Sequence, residues 1–178
     1  IADDVCKRKR NRTADYKDCA VLYRTNAQSR MFEETLIKNG LPYIMVGSLK
    51  FYDRKEVKDL LAYLRLLVNG RDEQALERVI NEPKRGIGSA TVEKLKMLLN
   101  ETGLSLHEAL KAPSAGELLG RSLLKVTAFS TLLESLRKET DTVPVEQLMT
   151  DILEKTGYWD ALLLEGSEQA RGRMDNLD

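Results

Sequence analysis

Two short apolar runs near the start of the chain differ from everything that follows. Residues 19–23 and 43–46 are continuous apolar stretches of strand length, the pattern of strands covered on both faces. Between them Phe32, Leu36 and Ile37 share one helical face. Asn26 is placed to cap that helix, and Gly40 to end it in the left-handed conformation. Strand, helix and strand over so short a span predict one parallel βαβ unit with a right-handed crossover.

From Asp53 onward only the helical period remains. Asp53 and Glu56 have capping-box spacing, and Val57, Leu60, Leu61, Leu64 and Leu67 form an apolar stripe behind them. Gly70 is a stop and Asp72 a new start, with Leu76, Val79 and Ile80 facing inward. Ser89 opens a helix carrying Val92, Leu95 and Leu99. Ser105 with Glu108 and Ser114 with Glu117 mark two more starts. A long helix runs through Leu124, Phe129, Leu132, Leu133 and Leu136. Thr142 opens another, with Val145, Leu148, Met149 and Ile152 inside and Gly157 after it. The predicted fold is therefore mainly α: a small parallel βαβ piece over 1–52, then an all-helical subdomain over 53–178.

Composition narrows the function classes. Over 178 residues, 42% are apolar and 31% charged, which suits a packed core under a solvated surface. No apolar run reaches the roughly 18–20 residues that span a bilayer, so no membrane partner is expected. The first residues lack an initiator Met and the charged-then-apolar order of a leader, and both ends read as cut from a longer chain. His107 is the sole histidine, which excludes sites built from several. Cys6 and Cys19 make no metal pattern and are expected reduced. Net charge is zero, although five of the six residues from Lys7 to Arg12 are basic. Any nucleic-acid contact must then be local rather than a bulk attraction.

Three segments carry chemistry. Arg24, Thr25, Asn26 and Gln28 follow the first predicted strand where a helix begins, the place where open α/β sheets bind ligands. Arg can hold a phosphate in a fork or stack on a base, and Asn and Gln can read base edges. The same residues would serve as a helix cap and a surface charge. Lys84, Arg85, Gly86, Ile87, Gly88, Ser89 and Thr91 combine a tight interhelical turn with basic residues before it and hydroxyls after it. Ile87 can anchor in the core while the next helix start offers outward N–H groups to a phosphate; an ordinary turn would look similar. In the third segment, residues 51–59, Phe51 is expected in the core, and Arg54 is the side chain best placed to reach DNA or an adjoining domain. Trp159, beside Tyr158, is expected as a core anchor. His107 is expected at or near the surface without a catalytic duty, and the Lys7–Arg12 cluster in a solvated segment. No Gly-rich loop ending in Gly-Lys-Ser/Thr and no acidic pair after an apolar strand is present, so nothing here cradles a triphosphate with Mg²⁺.

In this order the segments resemble the PcrA/UvrD/Rep family of superfamily 1 DNA helicases, in its PcrA branch of Gram-positive bacteria. Residues 20–30 look like that family's motif IVa, and 50–59 with 63–65 like its motif IVb. Residues 81–88 look like its Gly-Ile-Gly element. The resemblance implies a parent that moves 3′ to 5′ on single-stranded DNA with ATP and Mg²⁺, neither of them bound by this part of the chain. It implies that 1–52 belong to the second RecA-like motor domain and that 53–178 form its helical insertion, truncated at the C-terminal end. Arg24 and Asn26 would line the single-strand path, and 84–91 would touch duplex backbone. Implied partners are single-stranded and duplex DNA, the remaining helicase domains, and repair or transcription proteins, all in a bacterial cytoplasm. A protein-interaction module with little DNA binding, and a nuclease–helicase relative, remain open as alternatives.

Overall fold

The computed structural model describes residues 1–25, 28–47 and 49–178. Its helices are α1 (Ala2–Arg10), α2 (Ser29–Lys38), α3 (Lys55–Val68), α4 (Glu73–Val79), α5 (Ser89–Thr102), α6 (Leu106–Ala109), α7 (Pro113–Leu119), α8 (Leu123–Arg137), α9 (Val145–Lys155), α10 (Tyr158–Glu165) and α11 (Glu168–Leu177). The chain divides into two compact units, one made of Ile1–Val57 with Gly172–Asp178, the other of Lys58–Arg171.

In the first unit the expected βαβ piece is not seen, and the described residues contain no strand. Residues 19–23 and 41–46 are neither helical nor laddered. A strand exists only when a neighbour exchanges N–H···O=C bonds with it, and no such neighbour is present among the described residues. Leu22 is 93% exposed and Ile44 86%, while Val21, Tyr23, Tyr43 and Met45 are half-buried, so none of these side chains is buried as read. The helix between them forms as expected, and Gly40 takes the left-handed conformation after it at φ +64°.

The inward side of α2 is not the predicted one. Ile37 is exposed, whereas Ser29 and Glu33 are buried. Glu33 is tolerated there because its carboxylate is satisfied. It accepts from Ser29 Oγ at 2.8 Å, from Tyr43 Oη at 3.2 Å and from the Phe51 backbone N–H at 3.1 Å. Phe51 is buried, as expected. The basic cluster near the start is solvated, as expected; its residues 7–10 close α1, with Arg8 paired to Asp4 and Lys9 to Asp15.

The second unit has a dry core. Tyr63, Val79, Ile80, Ile87, Leu95, Leu98, Val126, Phe129, Leu136 and Ile152 are each at most 1% exposed. Burying a side chain of this size stabilises by about 1.5–3 kcal/mol. Asp72 caps α4 by accepting from the Ala75 N–H, and Ser105 with Glu108 closes the expected capping box of α6. Asp53 does not start α3: a single 3-10 turn covers Phe51–Asp53 and the helix begins at Lys55. Leu61, Leu124 and Val145, expected inside, are exposed. Tyr158 takes the anchor position expected of Trp159, donating to the buried Asp59 carboxylate at 2.9 Å. Arg137 donates to the Leu66 and Leu67 carbonyls at 2.9 and 3.1 Å, which satisfies the end of α3.

Candidate nucleic-acid interface

The turn between α4 and α5 is built from its underside. The Asn81 side-chain oxygen accepts from the Arg85 N–H at 2.8 Å and the Ile87 N–H at 3.1 Å, closing the loop on itself. Ile87 plugs the core at 1% exposure. The Arg85 guanidinium points inward as well. It donates to the carbonyls of Val79 (3.2 Å), Pro83 (3.0 Å) and Thr156 (3.0 Å) and to Tyr63 Oη (2.9 Å). Its plane lies over the Phe129 ring, 5.0 Å from the centroid. Tyr63 in turn donates to the Glu82 carbonyl at 2.6 Å. Burial pushes the Tyr63 phenol up to about 12, against the opposing pull of the Arg85 charge.

The outer side of the same turn is open. Lys84, Gly86, Gly88 and Ser89 are exposed. Gly86 sits at φ +68°, a conformation that costs a side-chain-bearing residue. Gly88 caps α5 in an extended conformation, and the first returning bonds run from the Thr91 and Val92 N–H groups to its carbonyl. The N–H groups of Ser89 and Ala90 therefore stand at a helix start with no intrahelical acceptor. Thr91 Oγ1 meets Ser122 Oγ at 3.1 Å.

Sequence reasoning missed Lys125, which donates from Nζ to the Gly86 carbonyl at 3.1 Å. A Cβ built on Gly86 would lie 2.7 Å from that nitrogen. Lys125 occupies the first turn of α8, three residues after Ser122 at its N-cap. A cation there works against the helix dipole by about 0.3–1 kcal/mol, the one signal in the sequence that could have marked it. Among the described residues, neither Lys84 nor Lys125 has a carboxylate within ion-pairing range.

The other predicted positions fare differently. Arg24, Thr25 and Gln28 are exposed. The Gln28 side-chain oxygen is occupied by the turn itself, accepting from the N–H groups of Arg24 (3.0 Å) and Thr25 (3.4 Å). Asn26, with its expected capping role, lies outside the described residues. Arg54 does not reach outward. It is 6% exposed, donates to Ser29 Oγ at 2.8 Å and to the Asn176 side chain, and stacks over Phe51. The Asn176 side chain also donates to Glu56 at 2.6 Å. Arg54 is thus a fastener within the first unit, because a guanidinium buried this deeply must spend its donors on the protein. His107 is half-buried, with Nδ1 3.4 Å from Ser130 Oγ, at a cavity with room for about one water.

The predicted residues thus separate into two groups on different units. Residues 84–91 gather in one place with Lys125; Arg24, Thr25 and Gln28 lie on the first unit.

The chain has known relatives. The family model described as UvrD-like helicase C-terminal domain matches residues 1–164. The ATP-dependent DNA helicase PcrA of Staphylococcus aureus is 41% identical over all 178 residues, and that of Staphylococcus epidermidis is 40% identical over the same span. The chain spans 24% of the length of each of these relatives.

Proposed function

The chain belongs to the family of UvrD-like helicase C-terminal domains, and from that premise we propose that it is the part of an ATP-dependent, 3′-to-5′ DNA helicase that holds DNA. In this reading the turn at 84–91 seats the backbone of duplex DNA, and Arg24, Thr25, Asn26 and Gln28 contribute to the path of the single strand. The observation that carries the reading is the division of labour at the turn. Ile87 is buried and the Arg85 guanidinium and Asn81 oxygen are bound inward, which leaves Lys84, the helix-start N–H groups and Ser89 facing solvent. Donors held rigidly outward, with none spent internally, are what a phosphate oxygen needs.

ATP and Mg²⁺ enter this role only through the longer protein. The chain has no Gly-Lys-Ser/Thr loop, and among the described residues no group of three or more His, Cys, Asp or Glu gathers to hold a metal ion. No helix of the described residues is long and apolar enough to cross a membrane.

Titrating the 178-residue chain into a fluorescein-labelled duplex at rising salt tests the proposal. Affinity should fall with log salt, at a slope of about −0.9 for each phosphate neutralised. Replacing Lys84 by Ala should lower affinity without altering sequence preference. Binding indifferent to salt would instead favour a protein-docking module, for which the exposed Leu163 and Leu164 on α10 are the supporting observation.

A further inference from the structure

We infer that Lys125, not Arg85, supplies the second positive charge that meets the duplex backbone beside Lys84. The inference rests on the duplex-seat reading above and names the cation that completes it. Four observations converge on this residue.

The first is placement. Lys125 lies thirty-nine positions from Gly86, yet its ammonium is fixed on the exposed side of the turn by the Gly86 carbonyl at 3.1 Å. The contact is reinforced by the Thr91–Ser122 hydroxyl pair at 3.1 Å, which holds the start of α8 against the start of α5. The ammonium is therefore held at the turn rather than left to roam on a long flexible stem.

The second is spare capacity. A lysine ammonium has three donors, and the Gly86 carbonyl accepts one. Two stay available to a phosphate oxygen without breaking the anchor. Arg85 has less reserve: four of its five N–H donors are already taken, and its face lies on the Phe129 ring.

The third is uncompensated charge. Lys125 is exposed and, among the described residues, has no carboxylate in range, and Lys84 is the same. Two other lysines of the same unit are paired instead, the exposed Lys155 with Glu139 and Asp151, and the half-buried Lys96 with Glu77. The fourth is cost. A cation in the first turn of a helix opposes the dipole of that helix, so α8 gains nothing from carrying it there. An anion lying across both helix starts would be favoured by the two N-terminal dipoles and by both lysines.

The occupant that fits is a sugar-phosphate backbone, whose successive phosphates can meet Lys84 and Lys125 in turn. The test uses the 178-residue chain and a fluorescein-labelled blunt duplex, comparing wild type with Lys84→Ala, Lys125→Ala, Lys125→Arg and Lys125→Glu. Circular dichroism melts confirm that each variant is folded. Lys125→Ala should weaken binding about 3- to 10-fold and make the salt slope less negative by about 0.9, as loss of one phosphate contact requires. Lys125→Arg should keep the wild-type slope, and Lys125→Glu should weaken binding beyond Ala. If wild type and Lys84→Ala differ as expected but Lys125→Ala leaves affinity and slope unchanged, the inference about Lys125 is overturned while the duplex seat stands. If Lys125→Ala loses affinity with no change of slope, the side chain only props the turn, which also overturns it. A wild type that binds without any salt dependence removes the duplex seat itself.

Discussion

The turn at 84–91 and the stretch at 19–28 were expected to do similar work, and the molecule builds them in opposite ways. At the turn every inward group has a partner: Asn81 closes the backbone, Arg85 is bound at four acceptors, and Ile87 is sealed in the core. At 19–28 the apolar run is at best half-buried, with Leu22 facing water, and the Gln28 side chain holds the bend. A surface loop can offer rigid donors to a ligand only if its other side is pinned. The turn carries its own scaffold within the same unit. The stretch at 19–28 lacks among the described residues the neighbouring strands that its pattern calls for.

The contrast can be broken most forcefully at Arg85. Arg85→Ala should destabilise the second unit by about 3 kcal/mol, since it leaves several buried carbonyls and the Tyr63 hydroxyl short of a donor. In urea the midpoint should drop with an unchanged slope; an unmoved midpoint would mean that the turn is not pinned from beneath. Alkaline titration probes the same scaffold. Burial raises the Tyr63 phenol to about 12 in the folded chain, from an ordinary 10.0. Its contribution to stability is therefore fully present below pH 10 and lost as pH climbs through about 12. A rise of that size corresponds to about 3 kcal/mol, so wild type should lose stability steeply over that window. Tyr63→Phe should lack this step, and equal slopes for the two proteins would argue against the burial of the phenol.

A smaller effect is expected in the first unit. Asn176→Ala removes a bridge between Arg54 and Glu56 and should cost about 1–2 kcal/mol. Hydrogen exchange should quicken within 1–57, and protection of the 84–91 turn should stay as it was. The smallest effect belongs to the exposed stretch: Arg24→Ala should change stability by less than about 0.5 kcal/mol. A larger loss in calorimetry would show that 19–28 is pinned after all, and the contrast would fail.

Helical order was legible because amphipathic period and caps are local. Asp72, the Ser105–Glu108 box and Gly40 act within four residues of themselves, and each appears as its sequence predicts. The strands were not legible in the same sense. The runs at 19–23 and 43–46 record what a parallel sheet would want, but a sheet is a relation between distant segments. Asp53 and Ile37 were misplaced for a milder reason: capping spacing and an apolar side chain are necessary signs of a helix start or a core face, not sufficient ones. At the candidate site the Gly-Ile-Gly spacing and the adjoining basic residues marked the turn that joins α4 to α5. The sequence alone had no means of dividing two adjacent basic residues, Lys84 and Arg85, between solvent and interior.

The chain by itself therefore determined the helical succession, the place of the turn and, through its resemblance to known helicases, the family. Only the tertiary structure decided which charges are spent and which are free. Arg85 and Arg54 are drawn inward because acceptors as far as 71 and 122 residues away join nearer ones around them. Lys125 joins the turn because the start of α8 lies beside it, where Ser122 meets Thr91 and the ammonium reaches the Gly86 carbonyl. Local sequence sets the conformations open to a segment, but the partner of a charged group is chosen by whatever the fold brings within about 3 Å of it, at any distance along the chain.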